Sequence, residues 1–317
     1  MKYLKYFPTE AGYTSYKNSG DYITPNVSYV EEIKGVSYEP KLEVGKYKIG
    51  VLSKKDISGL TYNAVDLGLP SGTLWADRNV GATSPEDYGA AFAWGDTEGY
   101  CIEKKHMTAK EMCSALNPIL VPNLGFEVTP DNLDETLAMI LGGTIEDLTA
   151  IDYDLFSCGV IISFEPCFNS DWSDYFDTID GGNTFNKYNN NGGFTVLQPE
   201  DDAATVNMGS DWRMPTNAEM EELLQYCDYE VDSWDTKPYK FTSKINGNSI
   251  TIPAPLTASD SSAMIDSSYD RIWSSELKDE LYNPHGSKKA NTCYIYNSSA
   301  GGYDEYRYYG LPVRGVK

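Results

Sequence analysis

An α+β protein is predicted: a β-rich domain carrying a helical insertion, preceded by a small N-terminal module. Three observations point there. From residue 62 onward, short apolar or alternating runs punctuated by glycine recur, the texture of an irregular β-rich domain and not of a βαβ fold. Residues 101–180 break that texture with helical spacing. Residues 1–50 hold their own short elements, joined on by the linker-like stretch 53–60 (SKKDISGL). The expected boundaries are 1–60 for the module, 61–317 for the domain and about 101–195 for the insertion.

In the module, Thr9 is a candidate N-cap for a short helix. Thr24-Pro25-Asn26 is a break, and residues 27–30 and 36–38 alternate as short strands about a Lys34-Gly35 turn. Residues 46–52 form another strand. The domain begins with strands at 64–69, 73–76 and 90–94.

In the insertion, Thr108 and Glu111 have capping-box spacing ahead of Met112 and Leu116. Thr129-Pro130 opens a second helix, with Leu133, Leu137, Ile140 and Leu141 on one face and Gly142-Gly143 at its end. A third runs from Thr144 to about Ala150. Residues 181–195 are a Gly/Asn-rich loop. A second capping box, Thr216 to Glu219, starts a helix whose Met220, Leu223, Leu224 and Cys227 face the core.

Residues 239–252 form a hairpin turned at Asn246-Gly247. Residues 271–275 are a strand. Residues 292–297 and 303–309 pair across 298–302, and 311–316 close the domain. Trp75, Trp94, Trp212 and Trp273 are expected in the core.

Lys and Arg number 25 against 47 Asp and Glu, a net charge of −22. That field repels phosphate backbones and anionic membrane surfaces, which argues against nucleic-acid and membrane partners. No run approaches the ~20 apolar residues of a membrane helix. The opening residues lack the apolar core of a signal peptide, so the chain is expected to be made in a cytoplasm and not exported by that route. The six cysteines have no CxxC spacing and are expected to be reduced. Two histidines leave little material for His-based zinc sites or acid–base catalysis. No phosphate-binding glycine loop and no GxSxG elbow is present. No metal, no cofactor and no enzymatic activity are expected.

Two acidic clusters invite other readings. Asp201 and Asp202 could serve glycoside hydrolysis or hold calcium, but a helix N-terminus, where acids are stabilised, accounts for them better. Asp171, Asp174, Asp177 and Asp180 read as a solvated acidic loop.

Tyrosine is the compositional anomaly, with 25 Tyr against 10 Phe. The C-terminal strands carry Tyr294, Tyr296, Tyr303, Tyr306, Tyr308 and Tyr309 beside Asn291, Asn297 and Asp304. Such surfaces bind sugars by ring stacking and hydrogen bonding, or proteins as paratopes do. They also stabilise sheets by cross-strand pairing alone, and alternation turns about half of them inward. The binding candidates are Tyr296, Asn297, Tyr303, Asp304 and Tyr306.

Several blocks, in order, carry a resemblance. Residues 64–76 (AVDLGLPSGTLWA), 79–82 (NVGA) and 92–96 (FAWGD) resemble the opening of the Fibrobacter-type major paralogous domain. Residues 199–204 (PEDDAA) and 212–216 (WRMPT) are similar to its centre, and 272–275 (IWSS) and 307–314 (RYYGLPVR) to its end. The resemblance implies a C-type-lectin-like fold, shared with formylglycine-generating enzymes and retroelement-diversified phage receptor-binding proteins. Its enzyme branch needs a late cysteine pair, and only Cys293 lies beyond Cys227. The lectin calcium tripeptides are absent too. Segment 101–195 departs from the compact family pattern.

Residues 2–7 (KYLKYF) and 24–29 (TPNVSY) resemble the N-terminus of structural proteins from phages of gut Bacteroidales, crAss-like phages and their relatives. That resemblance implies a virion protein, a head or tail fibre or decoration. Its partners would be other virion proteins, through residues 1–60, and a host-surface glycan or protein. A homo-oligomer is implied, a trimer foremost. The alternative is a purely architectural virion protein in which 101–195 is an inter-subunit arm and no ligand exists. A glycan-active enzyme using acids within 171–202 and a bacterial surface adhesin are further alternatives.

Overall fold

Tyr47, Ile49 and Val51 recur at every second position and are all buried, the signature of a strand with one face on a core. In the computed structural model they lie on β1 (Tyr47–Lys54). The structure describes residues 45–150, 153–155, 161–163, 178–179, 184–230, 238–253, 270–278, 288–296 and 299–317. The expected elements of residues 1–44 lie outside them.

The elements that follow are β2 (Ala64–Asp66), β3 (Leu74–Asn79), β4 (Ala91–Phe92) and β5 (Tyr100–Met107). Next come α1 (Ala109–Leu124), α2 (Leu133–Ile140), α3 (Ile145–Ala150), β6 (Ile161–Ser163), β7 (Thr178–Ile179) and β8 (Thr184–Phe185). Then α4 (Ala203–Met208) and α5 (Asn217–Tyr226) precede β9 (Cys227–Glu230), β10 (Tyr239–Ser243) and β11 (Ser249–Ile252). The chain closes with β12 (Asp270–Leu277), β13 (Lys289–Tyr296), β14 (Ser299–Tyr306), β15 (Leu311–Pro312) and β16 (Arg314–Val316). The protein is thus mixed α+β, mostly strands in small antiparallel sheets with a few helices.

The largest described sheet has the order β15-β4-β5-β1-β6. β1 pairs with β5 along its whole length, from Tyr47 opposite Met107 to Lys54 opposite Tyr100. β1 thus belongs to the sheet of the larger unit, which runs from Gly45 to Lys317. Residues 101–107 are strand, so the helical part of the insertion starts at Ala109. Its helices pack on β1: Tyr47, Ile49 and Val51 share a cluster with Met112, Leu116, Leu133, Leu137 and Leu148.

Both capping boxes form. Thr108 accepts from the Glu111 N–H while the Glu111 carboxylate accepts from the Thr108 N–H, and Thr216 and Glu219 do the same. α2 starts at Leu133, later than the Thr129-Pro130 signal, with Asn132 at the cap position. Its expected apolar face is only half covered: Leu133 and Leu137 are buried, whereas Ile140 and Leu141 are 47% and 37% exposed.

The Asn246-Gly247 hairpin forms as β10–β11, with Gly247 at φ +79, a conformation glycine adopts without strain. The C-terminal hairpin is tighter than expected. β14 starts at Ser299 opposite Tyr296, so Gly301 and Gly302 are paired strand residues, and it ends at Tyr306. Residues 311–316 divide between two sheets: β15 joins β4, and β16 joins β3 in the order β16-β3-β2.

All four tryptophans named above are buried. Two are reciprocal ties. The Trp94 indole N–H donates to the Ser274 carbonyl at 2.7 Å, and the Trp273 indole N–H to the Phe92 carbonyl at 2.8 Å. A fully buried Arg314 links two sheets. It donates to Asn79 Oδ1 at 2.8 Å, to the Ala76 carbonyl at 2.9 Å and to the Thr251 carbonyl at 2.5 Å. Burial pulls its pKa down to about 9 against the nearby Asp77, so the cation persists at neutral pH, held mainly by oxygen dipoles.

Glu219 does more than cap α5. It accepts from Arg213 Nη1 and Nη2 at 2.7 and 2.6 Å, from the Thr216 N–H at 2.9 Å and from the Thr73 hydroxyl at 3.0 Å. Burial alone would raise its pKa, but these donors hold it at about 2. A depressed folded-state pKa stabilises the fold above the unfolded value of 4.5, and that stabilisation disappears as pH falls toward 2. Urea midpoints should therefore drop more steeply in the wild type than in Glu219→Gln over that window. The difference should be about 2 kcal/mol, allowing for solvent screening at the half-exposed Arg213. Equal slopes would refute the assignment.

Among the described residues Cys101, Cys113, Cys227 and Cys293 are free thiols. Burial pushes Cys227 up to about 11 and Cys293 up to about 12. Both should resist a thiol reagent in the native protein at pH 8 and react on unfolding in urea, as peptide mapping of the labelled sites would reveal.

Candidate binding surface on the C-terminal sheet

The candidate residues lie on the sheet β12-β13-β14. Its register places Thr292 opposite both Trp273 and Tyr303, and Asn291 opposite Asp304. Because alternate residues of a strand face opposite ways, this register divides the expected site. Tyr303 and Glu305 go with Arg271 to one face. Gly302, Asp304 and Tyr306 go with Lys289 and Asn291 to the other. Tyr296 ends β13 opposite Ser299. Its side chain, and Asn297 as a whole, lie outside the described residues.

On the first face Arg271 is 6% exposed and forms an ion pair with the buried Glu305. The guanidinium also lies 4.7 Å from the Tyr303 ring centroid, while Tyr303 itself is 50% exposed. One side of the Tyr303 ring therefore braces a buried cation and the other meets solvent.

The second face is built differently. Asp304 accepts from Lys289 Nζ at 2.9 Å and has Lys278 Nζ at 3.5 Å. Burial would raise its carboxyl, but the two ammonium groups hold it below the usual carboxylate range. Lys289 also lies 5.0 Å from the Tyr306 ring centroid. Tyr306 stacks on Tyr308, with centroids 5.4 Å apart and planes 11° apart, and Tyr309 meets Tyr306 edge-on at 6.2 Å. Burial, then the neighbouring Tyr309 and Tyr306, push the Tyr308 phenol up to about 12. A partly exposed aromatic platform thus stands beside a Lys–Asp–Lys array.

Asp304 and Tyr306 share one strand, as the sequence suggested, and the structure brings Tyr308, Tyr309, Lys278 and Lys289, which were not among the binding candidates, beside them. The Tyr308-Tyr309 pair had a signal, since it follows Tyr306 directly across Arg307. The lysines had none, because only the hairpin register brings them to Asp304.

The other candidate groups are structural or outside the described residues. Asp202 is the N-cap of α4 and accepts from the Thr205 N–H at 2.9 Å and the Met214 N–H at 2.8 Å. Asp201 accepts from Lys187 and from the Tyr188 hydroxyl, both at 2.6 Å. The acidic pair thus has its helix-terminus role through Asp202. Asp171, Asp174, Asp177, Asp180 and His285 lie outside the described residues. His106 sits on β5 with Nδ1 3.2 Å from the Gly45 carbonyl oxygen. Among the described residues no cluster of three or more His, Cys, Asp or Glu could hold a metal ion, and no helix is long and apolar enough to cross a membrane.

Compared with protein-family models, curated proteins and solved structures, the chain shows no match.

Proposed function

We propose that this chain is a virion display protein whose C-terminal domain, a C-type-lectin-like domain, contacts a host-surface glycan or protein without performing chemistry. The observation that carries the reading is the Tyr306–Tyr308–Tyr309 platform beside the Lys289–Asp304 pair. Stacking tyrosines with fixed charges at their edge suit weak recognition of sugars or peptides. Repeated copies on a particle would raise such contacts to useful avidity. The location on a virion rests on the resemblance of residues 2–29 to phage structural proteins, and the lectin-like fold on the blocks quoted from 64 to 314.

Mass spectrometry of purified particles against lysate tests the location. Stoichiometric presence is expected, with high copy number favouring the head and low copy number the tail, and absence overturns it. Particles carrying Tyr306→Ala test the contact surface: adsorption to host cells should fall, and unchanged adsorption overturns that part.

A second reading, architectural, has its own observation. Apolar side chains of the helical insertion stand in solvent, with Met139 54%, Ile119 49%, Ile140 47% and Phe126 44% exposed. If the insertion is an inter-subunit arm, Met139→Glu with Ile140→Glu should dissociate the oligomer in light scattering, while Tyr306→Ala leaves adsorption intact.

A further inference from the structure

A hollow of about 230 Å³ opens between α5 and the β13–β14 pair. Sites for drug-sized ligands run to ~300–1,000 Å³, so this one suits a single ring. From α5, Asn217 and Glu221 line it one turn apart, with Met220 and Leu224 offering an apolar surface beside them. From the sheet come Asn291, Thr292, Gly302 and Tyr303. Asn291 donates one N–H to the Leu277 carbonyl at 2.9 Å, which fixes its amide and keeps the carbonyl oxygen for a ligand. Gly302 is exposed, and a Cβ added there would meet nothing within 4 Å. The sheet side of the hollow is open because that residue has no side chain.

The lining matches one chemistry. Two carboxamides and a carboxylate offer paired donors and acceptors of the kind that adjacent hydroxyl groups satisfy. Met220 and Leu224 suit the C–H face of a ring. The cation at the rim, Lys278, is already engaged by Asp304 at 3.5 Å. Lys278 and Lys289 share the one Asp304 carboxylate, and Glu221 on the lining adds a second negative charge, so no net positive charge is left for a carboxylate or phosphate, and the chain's net charge of −22 repels anions further. Gly302, Asp304 and Tyr306 follow one another on the same face of β14, so the hollow lies about 13 Å along the strand from the tyrosine platform.

From this juxtaposition we infer that the hollow seats one neutral pyranose ring of a host glycan, while the next part of the same chain of sugars runs past Asp304 onto Tyr306. The inference rests on the display reading above and gives it a ligand class and a place.

The test uses the full chain. Wild type, Gly302→Leu and Tyr306→Ala are applied to an array of neutral and acidic glycans. They are also examined by saturation-transfer NMR with methyl mannoside, methyl galactoside and N-acetylglucosamine. Wild type should bind neutral glycans and show transfer to at least one monosaccharide. Gly302→Leu fills the hollow and should weaken binding about tenfold or more, equivalent to ~1.4 kcal/mol, with an unchanged circular-dichroism spectrum. Tyr306→Ala should weaken oligosaccharide binding and keep the monosaccharide signal. Should Gly302→Leu fail to fold, Glu221→Ala at the exposed rim replaces it.

Undiminished binding by the filled variant overturns the hollow, as does a preference for acidic glycans, and neither touches the display reading. An array blank for wild type also overturns the hollow. The display reading then stands or falls separately, on whether Tyr306→Ala lowers adsorption of particles.

Discussion

Replacing Arg314 with methionine should cost the fold about 3–5 kcal/mol, the order expected when several oxygens inside the protein lose a hydrogen-bond donor together. The guanidinium is fully buried and makes three directed hydrogen bonds. Two go to β3 and one to Thr251 on β11, so one side chain fastens β16 to two sheets. Methionine fills similar space but takes the donor from two buried oxygens, on Asn79 and Ala76, at ~1–3 kcal/mol for each left unsatisfied, and from the part-buried Thr251 carbonyl. Lysine should recover only part of the loss, because a single ammonium cannot reproduce the planar fork. Urea denaturation of the three proteins measures this. A methionine variant within about 0.5 kcal/mol of wild type, the range of ordinary surface substitutions, would show that the network contributes little.

Trp273→Ala should be of similar size, about 3–5 kcal/mol, the usual cost of emptying a core site of that volume. Trp273 is completely buried among Phe92, Trp94, Leu311 and Val313. Its indole N–H holds the Phe92 carbonyl, while the Trp94 indole N–H holds the carbonyl next to Trp273. Phenylalanine separates the two contributions. It keeps most of the apolar contact and gives up the hydrogen bond, so Trp273→Phe should cost about 1–3 kcal/mol, mainly for the carbonyl left unpaired. If the phenylalanine variant is as unstable as the alanine variant, ring volume is not what holds this layer together.

What was legible in the sequence was local. Thr108 with Glu111, Thr216 with Glu219 and Asn246-Gly247 each act over four residues or fewer, and each formed where expected. The tryptophans were legible because their bulk has few places to go but a core. β5 was not. Its Glu103-Lys104-Lys105-His106 stretch is exposed throughout and has no alternation, and it is a strand only because β1 pairs along its full length. Ile140 and Leu141 misled for the opposite reason. Their spacing fits one helix face, but the packing of α2 on α1 and β1 covers only Leu133 and Leu137. The hollow left no trace in the sequence, since it exists only where α5 crosses the C-terminal hairpin.

The closure of β3 by β16 sets a schedule for biosynthesis. Asn79 and Arg314 are 235 positions apart, and at ~5–20 residues per second the ribosome needs roughly 10–50 s to make the intervening chain. Throughout that interval β3 has β2 on one side and an open edge on the other, the arrangement that invites pairing between nascent chains. The domain is therefore a late folder by construction: its first strands must be kept apart from their neighbours on the polysome until the last strand arrives.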